Sequence, residues 1–270
     1  MIVRDAHPGE PDGHLCIPQA DHAAVAGQLA RAWGNQSFPP PRPRADVCLA
    51  ATRHDDGMAP YDAAPALDPE RGLPVGFMRM ALEPWLECWR RGPAAVAADS
   101  AYAGLLVSLH AEYLLGFRSL AESDDEGRAT VAAYRAEQQR LRSELLEGLR
   151  AEGFAAVDLS PGRIERNRRL LEVWDAMSLA VCMPRLPESF ADVPAEPSPL
   201  RLEMREIGPS DPPTGMVVEV DPWPFSGAEV LLTATGRRLR GTFQDRESLR
   251  AALAAAEPEQ LAVALVPRVR

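Results

Sequence analysis

The most conspicuous absence from this chain is lysine, because all 29 basic residues are arginine. Chemistry that depends on a lysine ammonium group is therefore excluded. This covers Schiff-base catalysis, a lysine general base and the lysine-containing phosphate loop of P-loop proteins. Any basic group that meets a substrate must be an arginine.

The chain also lacks long apolar segments. No run approaches the roughly 18 uncharged apolar residues of a membrane-spanning helix, and no apolar stretch follows the charged N-terminus. The net charge of -10 at pH 7 would repel a nucleic-acid backbone or an anionic membrane surface. We therefore expect a cytoplasmic protein whose partner is a small-molecule substrate, without nucleic acid or membrane; the oligomeric state stays open.

Cysteine and aromatic residues are few. The four cysteines lie far apart, without a CxxC pair for zinc or a dense disulfide framework, and we interpret them as reduced core residues. Aromatic residues make up only 6% of the chain, while alanine, leucine and valine supply most of its apolar content. This balance favours packed helices over a β-sandwich.

The pattern along the chain predicts a mainly α protein. Helical periodicity dominates residues 1–190, after a short strand or extended arm around residues 15–17. A proline-rich stretch then precedes MVVEV, EVLLTA and QLAVALV, which are typical of strands, with DRESLRAALAAA as a helix among them. We predict a helical domain over 1–190 and a small α+β part over 191–270 packed on it.

Five polar residues fall on the inward sides of four predicted helices, with His54 and Asp55 on the same one: His22, His54, Asp55, His110 and Asp175. Burying a carboxylate without a counter-charge costs several kcal/mol, so we expect a cation beside it. Imidazoles and carboxylates that converge form a mixed N/O site suited to a divalent ion such as Mn, Fe, Co, Zn or Mg. The sequence therefore predicts a metal site.

Three segments resemble the HD-domain superfamily of metal-dependent phosphohydrolases. DHAAVAG is similar to its first histidine-bearing helix, LAATRHDDG to its helix that ends in a His-Asp doublet, and LEVWDAMSL to its last aspartate-bearing helix. The resemblance covers roughly residues 15–185. It implies an HD-domain-like helical bundle, with His22, His54, Asp55 and Asp175 as metal ligands and His110 where two-metal members carry additional histidines. The chain also resembles a bacterial family with this layout and a DPWPF-like segment, from which no activity carries over.

A hydrolase of this kind would use a metal-activated water on a small phosphate ester or nucleotide-like substrate. We expect His110 or Asp56 to shuttle the proton. Arg168 is the arginine best placed to meet the phosphate, because it precedes Asp175 by seven residues and so shares its helix face. Arg53, Arg163 and Arg166 are further candidates.

Structural roles compete with these assignments. The His54-Asp55 doublet also suits an ordinary helix C-terminus, where the dipole favours a histidine. His22 and His110 also fit as hydrogen-bonded core residues, and a salt bridge to a nearby arginine would satisfy Asp175.

Two other function classes stay open. A di-iron oxygenase on the same scaffold would need a substitute ligand such as Glu112, since His110 is the only histidine between the doublet and Asp175. A non-catalytic binding protein would have a degenerate site, and its working surface would include the DPWPF segment. We favour DPWPF as a rigid loop packed on the helical part.

Overall fold

The computed structural model describes residues 1–6, 11–117, 125–183, 185–209 and 215–269. Half of the residues in these ranges are helical. The helices in these ranges are α1 (Gln19–Ala32), α2 (Arg44–Arg53), α3 (Ala59–Ala63), α4 (Leu82–Ala97), α5 (Ala101–Leu115), α6 (Asp125–Ala151), α7 (Pro161–Cys182) and α8 (Arg246–Ala255). Among these helices, none combines the length and the apolar character needed to cross a bilayer.

The strands form a large curled sheet and a small one. They are β1 (Ile2–Asp5), β2 (His14–Ile17), β3 (Leu67–Asp68), β4 (Leu73–Pro74), β5 (Glu188–Val193), β6 (Leu200–Pro209), β7 (Gly215–Asp221), β8 (Val230–Leu239) and β9 (Pro258–Pro267). Seven of them form a half-barrel in the order β1-β2-β8-β9-β7-β6-β5. Neighbours are antiparallel except β7 and β9, where Val218 pairs with Leu265 in parallel. Strands β3 and β4 pair separately.

This architecture shows that the predicted fold class was wrong. The protein is not a mainly α or all-α HD-domain-like bundle, because a seven-stranded sheet forms a major layer. Two strands come from the N-terminal part, where Leu15 in β2 pairs with Arg238 in β8 across most of the chain. Strand β6 was not predicted, although buried Leu202 and Met204 alternate with exposed charges, the pattern of a half-buried strand.

The helices and the sheet share one continuous core. Helix α1 packs on β8, where the Gln28 amide donates to the carbonyl of Thr233 and accepts from its backbone N–H, at 2.8 and 2.9 Å. Helix α8 covers a second, smaller cluster, in which Leu249 packs with Cys16 and Leu239. The division at residue 190 stays a prediction, although strands from both sides of it build the same sheet.

The DPWPF segment packs against the C-terminal end of α1. The Phe225 ring meets the Trp33 ring edge-on at a centroid distance of 5.6 Å, and Trp33 contacts Trp174 of α7 in the same way at 5.8 Å. The Asn35 side chain donates to the carbonyl of Trp223 at 2.8 Å. These contacts join the sheet to the helices that carry the site.

Candidate metal centre

Side chains from four helical elements meet at one buried point. His22 lies on α1, His54 and Asp55 directly follow α2, His110 lies on α5 and Asp175 on α7. Each is at most 6% exposed. The structure thus brings together the five residues that the sequence predicts as metal ligands, and their role as ligands stays a prediction.

Two glycines allow the elements to approach so closely. Gly27 of α1 faces Thr52 of α2, and a Cβ on Gly27 would lie 2.8 Å from the Thr52 Cβ. Gly57, two residues after Asp55, passes α4; a Cβ there would lie 2.8 Å from the Gly92 nitrogen and 2.9 Å from the Cys88 carbonyl carbon. Any side chain at either glycine would push the helices apart.

The imidazole Nε2 atoms converge on the two carboxylates. His22 Nε2 lies 2.8 Å from Asp55 Oδ2 and 3.5 Å from Asp175 Oδ1. His54 Nε2 lies 3.6 Å from Asp55 Oδ2 and 3.4 Å from Asp175 Oδ1. Two ligand atoms about 2.1 Å from a tetrahedrally bound ion lie about 3.4 Å apart. His22, His54 and Asp175 can each offer one ligand atom with all three atoms within 4.8 Å of one another, which fits one divalent cation, whereas His22 Nε2 and Asp55 Oδ2 lie at hydrogen-bond distance.

Hydrogen bonds at the opposite ring nitrogens orient the two imidazoles. His54 Nδ1 donates to the carbonyl of Ala51 at 2.9 Å. His22 Nδ1 lies 2.8 Å from the Ser178 hydroxyl, which itself donates to the carbonyl of Asp175 at 2.8 Å. Because the hydroxyl proton is already used, His22 Nδ1 must be the donor. When both rings are neutral, both Nε2 atoms carry the lone pair that a metal ion needs. His22 Nε2 lies at hydrogen-bond distance from Asp55 Oδ2, so a cation would take the place of the proton between them.

The electrostatics of the cluster also favour a cation. Burial alone would raise the pKa of the Asp175 carboxyl, but contacts with His110 and His54 hold it well below its usual range. Burial opposes ionisation of Asp55 too, yet His54 and His22 lower its pKa. Both carboxylates are therefore ionised. Although burial disfavours the His54 imidazolium, Asp55 and Asp175 raise the pKa of His54 to about 9.

Unsatisfied ring nitrogens are the most direct sign of a ligand. Within the described part of the chain, His54 Nε2 and both nitrogens of His110 are buried without a hydrogen-bond partner. His110 Nε2 lies 3.4 Å from Asp175 Oδ2, and its ring meets that of His54 at 5.1 Å. Buried polar atoms are rarely left unpaired. The donor set thus fits a mixed N/O site for a divalent ion.

A cavity of about 520 Å³ opens beside the cluster. His22, Asp55 and Asp175 form part of its wall, together with Gln19, whose side-chain amide donates to Asp55 Oδ2 at 3.2 Å. Most of the remaining wall is aromatic or aliphatic. Small-molecule sites commonly have this volume and this mixture of groups.

Two predicted site residues lie apart from the cluster. Asp56 accepts from Arg53 Nε at 2.5 Å and is not part of the cavity wall. Arg168 donates to Glu165 at 2.6 and 2.8 Å and also pairs with Glu172. Both residues are engaged in local ion pairs, so neither is placed to act on a molecule bound at the cluster.

The remaining candidates from the sequence are likewise engaged elsewhere. Arg53 also pairs with Asp99, Arg163 lies 3.7 Å from Asp158, and Arg166 donates to the carbonyl of Pro39 at 2.8 Å. Glu112, the substitute ligand that a di-iron site would need, accepts from Arg135 Nε at 2.9 Å.

Sequence reasoning missed the residues that support the cluster and those that wall the cavity. Ser178 follows Asp175 by three residues, but a buried serine in a helix has no distinctive pattern. Gln19 precedes His22 by three residues and so shares its face of α1. Trp85 and Trp89 stand four residues apart on α4, a spacing equally typical of core residues.

Comparison with known proteins identifies a family but no activity. No curated protein and no solved structure matches the chain. A family model described as "Protein of unknown function (DUF3891)" matches residues 1–241, and the chain therefore belongs to the DUF3891 family.

Proposed function

We propose that this protein is a metal-dependent hydrolase that acts on a small phosphate ester. His22, His54, Asp55 and Asp175 would hold a divalent cation. The observation that carries the proposal is the convergence of two oriented imidazoles on two ionised carboxylates at the wall of a cavity. Such a cation supplies Lewis acidity, which lowers the pKa of a water molecule and polarises a phosphoryl oxygen.

The protein's own residues prepare this environment. Ser178 and the carbonyl of Ala51 accept hydrogen bonds from the Nδ1 atoms of His22 and His54, which orients both Nε2 atoms towards the carboxylates, where a cation would be held. His110 lies beside Asp175 Oδ2 and favours the ionised carboxylate. The apolar wall excludes bulk water, which strengthens electrostatic interactions inside the cavity.

His110 is the residue best placed to move a proton. Its ring is fully buried, and its Nε2 contacts a carboxylate that belongs to the cluster. The described contacts of Asp56 and Arg168 are ion pairs with other residues rather than a contact with Asp55 or Asp175. The proposal therefore assigns proton transfer to His110 and no role in the chemistry to Asp56 or Arg168.

Metal analysis of the purified protein tests this function. We expect about one divalent ion per chain, and we expect release of inorganic phosphate from a panel of small phosphate esters and nucleotides. Asp175→Asn should abolish both, while Asp56→Asn should preserve both. Two irons per chain with oxygen consumption would instead indicate an oxygenase, and protein that binds no divalent ion would overturn the proposal.

We place the reaction in the cytoplasm. All four cysteines are buried and unpaired, as expected of a protein that works in a reducing compartment.

A further inference from the structure

The cavity beside the cluster has a strongly apolar wall. Its lining includes Phe77, Trp85, Trp89, Leu114 and Leu179. Trp85 and Trp89 lie side by side on α4, with ring centroids 5.7 Å apart. Covering the apolar surface of a ligand with such a wall stabilises the complex, and the wall offers aromatic faces for stacking.

The polar groups of the wall are few, and several are already engaged. Glu172 is buried and accepts from Arg169 at 2.7 Å as well as pairing with Arg168. Gln19 donates to Asp55. A ribose or a nucleobase needs hydrogen-bonding partners for its hydroxyl groups and ring edges, since unpaired polar groups are costly to bury. In the described wall, Gln19 Oε1 and the Trp89 indole N–H are buried without a partner, and Tyr113 adds a phenol group, so the wall can pair a few polar atoms but not the many hydroxyl groups and ring edges of a nucleotide.

The mouth of the cavity combines one positive charge with exposed apolar side chains. Arg185 is exposed and contacts the Met78 sulfur at 3.3 Å; it makes no ion pair within the described ranges. Met78 is 56% exposed and Phe117 is 68% exposed. Large apolar side chains at the rim of a pocket are typical of a surface that a ligand covers.

The geometry points to a substrate that joins an aromatic or aliphatic body to a phosphate group, rather than a nucleotide or a sugar phosphate. This inference rests on the proposed function and deepens it. The apolar body would occupy the wall formed by Phe77, Trp85 and Trp89. Arg185 would attract the anion to the mouth of a cavity whose deep end carries two carboxylates.

The reaction on such a substrate is the hydrolysis of a phosphate monoester. The P–O bond to the alcohol or phenol breaks, and the oxygen of one water molecule forms the new P–O bond. One water proton passes to the leaving alkoxide or phenoxide. The products are the free alcohol or phenol and inorganic phosphate, with no change in oxidation state.

Binding of two anionic probes tests the ligand class; phenylphosphonate cannot be hydrolysed, and phosphate release is followed during the titration with the ester ribose 5-phosphate. We would titrate the full chain, with Mn²⁺ present, with phenylphosphonate and with ribose 5-phosphate, and follow tryptophan fluorescence. Because Trp85 and Trp89 line the cavity, phenylphosphonate should change the emission. We expect it to bind at least about tenfold more tightly than ribose 5-phosphate, since burying a phenyl ring gains at least about 1.4 kcal/mol.

Two exposed positions provide a matched pair of variants. Phe117→Ser at the cavity mouth should weaken phenylphosphonate binding several-fold, whereas Val157→Ser should not, because Val157 is 65% exposed and lies away from this cavity. Arg185→Gln should weaken both probes, since both are anions. None of these side chains is buried, so each variant should fold.

The outcomes separate this inference from the proposed function. If calorimetry shows Mn²⁺ binding but the two probes bind equally, or ribose 5-phosphate binds more tightly, the ligand class is wrong and the metal site stands. If phenylphosphonate binds preferentially but no divalent ion does, the ligand class is supported and the hydrolase proposal fails. Equal effects of Phe117→Ser and Val157→Ser would also overturn the inference.

Discussion

Replacing Gly57 with alanine should damage both the fold and the metal centre. The new Cβ would lie 2.8 Å from the Gly92 nitrogen and 2.9 Å from the Cys88 carbonyl carbon, whereas ordinary contacts lie between 3.4 and 4 Å. The two backbones must therefore separate by more than half an ångström. Inserting one carbon into a packed site costs about 1–3 kcal/mol. Backbone atoms on both sides make the upper end of that range the expectation for Gly57→Ala.

Gly148→Ala is the matched control. Gly148 lies inside α6, where a Cβ would meet nothing within 4 Å. There alanine should stabilise the protein by about 0.5–1 kcal/mol, because it restricts the unfolded chain more than glycine does. The same chemical change should thus have opposite signs at the two positions, and the variants should differ in free energy of unfolding by about 1.5–4 kcal/mol.

Denaturant unfolding measures this difference, and Mn²⁺ titration measures its consequence at the site. The turn at Gly57 directly follows His54 and Asp55, so its displacement should weaken Mn²⁺ binding, while Gly148→Ala should leave it unchanged. If Gly57→Ala unfolds at the same denaturant concentration as the unaltered protein, the close approach of α4 does not constrain the doublet. The account of how the cluster is assembled would then fail.

Three further predictions concern the residues around the cluster. His54→Ala should abolish Mn²⁺ binding measured by isothermal titration calorimetry, and Asp56→Asn should retain it. If both variants lost Mn²⁺ binding equally, the metal would not be held where we propose. Ser178→Ala should weaken Mn²⁺ binding about 10- to 100-fold because His22 loses its orienting partner. Ser108→Ala is the control: it removes another buried hydroxyl, which donates to Gln138 at 2.8 Å, and it should lower stability without changing Mn²⁺ binding. Phe225→Ala should cost about 3–5 kcal/mol in thermal or denaturant unfolding, and a near-neutral result would refute a packing role for DPWPF.

The helical part of the site could be predicted from the sequence. In an α-helix, residues three or four positions apart share a face, so a histidine spaced with alanine and leucine must point where they point. This reasoning placed His22 and His110 on buried faces, and the structure has both rings buried. It supplied no distances between helices, which depend on close approaches such as that of Gly27 to Thr52.

The sheet could be predicted only in part from the sequence. Strands β7, β8 and β9 and helix α8 lie where β-branched runs and the intervening helical pattern predicted them. Strand β1 is short and joins the sheet through β2, whose partner β8 lies more than 220 residues along the chain. No local pattern encodes a partner at that separation. The mainly α prediction failed because pairing over long sequence separations went unseen.

The residues that orient the predicted ligands could not be predicted from the sequence either. Ser178 orients the His22 ring: its hydroxyl oxygen accepts a hydrogen bond from His22 Nδ1, and its hydroxyl group donates to the carbonyl of Asp175 in its own helix. Serine is common in many settings, and its meaning here depends on a partner 156 positions away. The role of Arg168 stays a prediction; Glu165 and Glu172 lie about one turn from it and form ion pairs with its guanidinium.

The position of β9 constrains how the protein can be made. Of the described strands it leaves the ribosome last, yet it lies between β8 and β7 in the middle of the sheet. During synthesis the earlier strands therefore have unpaired edges, and such edges can pair with strands of other chains. Because α1 packs on β8, the helix that carries His22 gains its final support only after β8 and β9 have been synthesised.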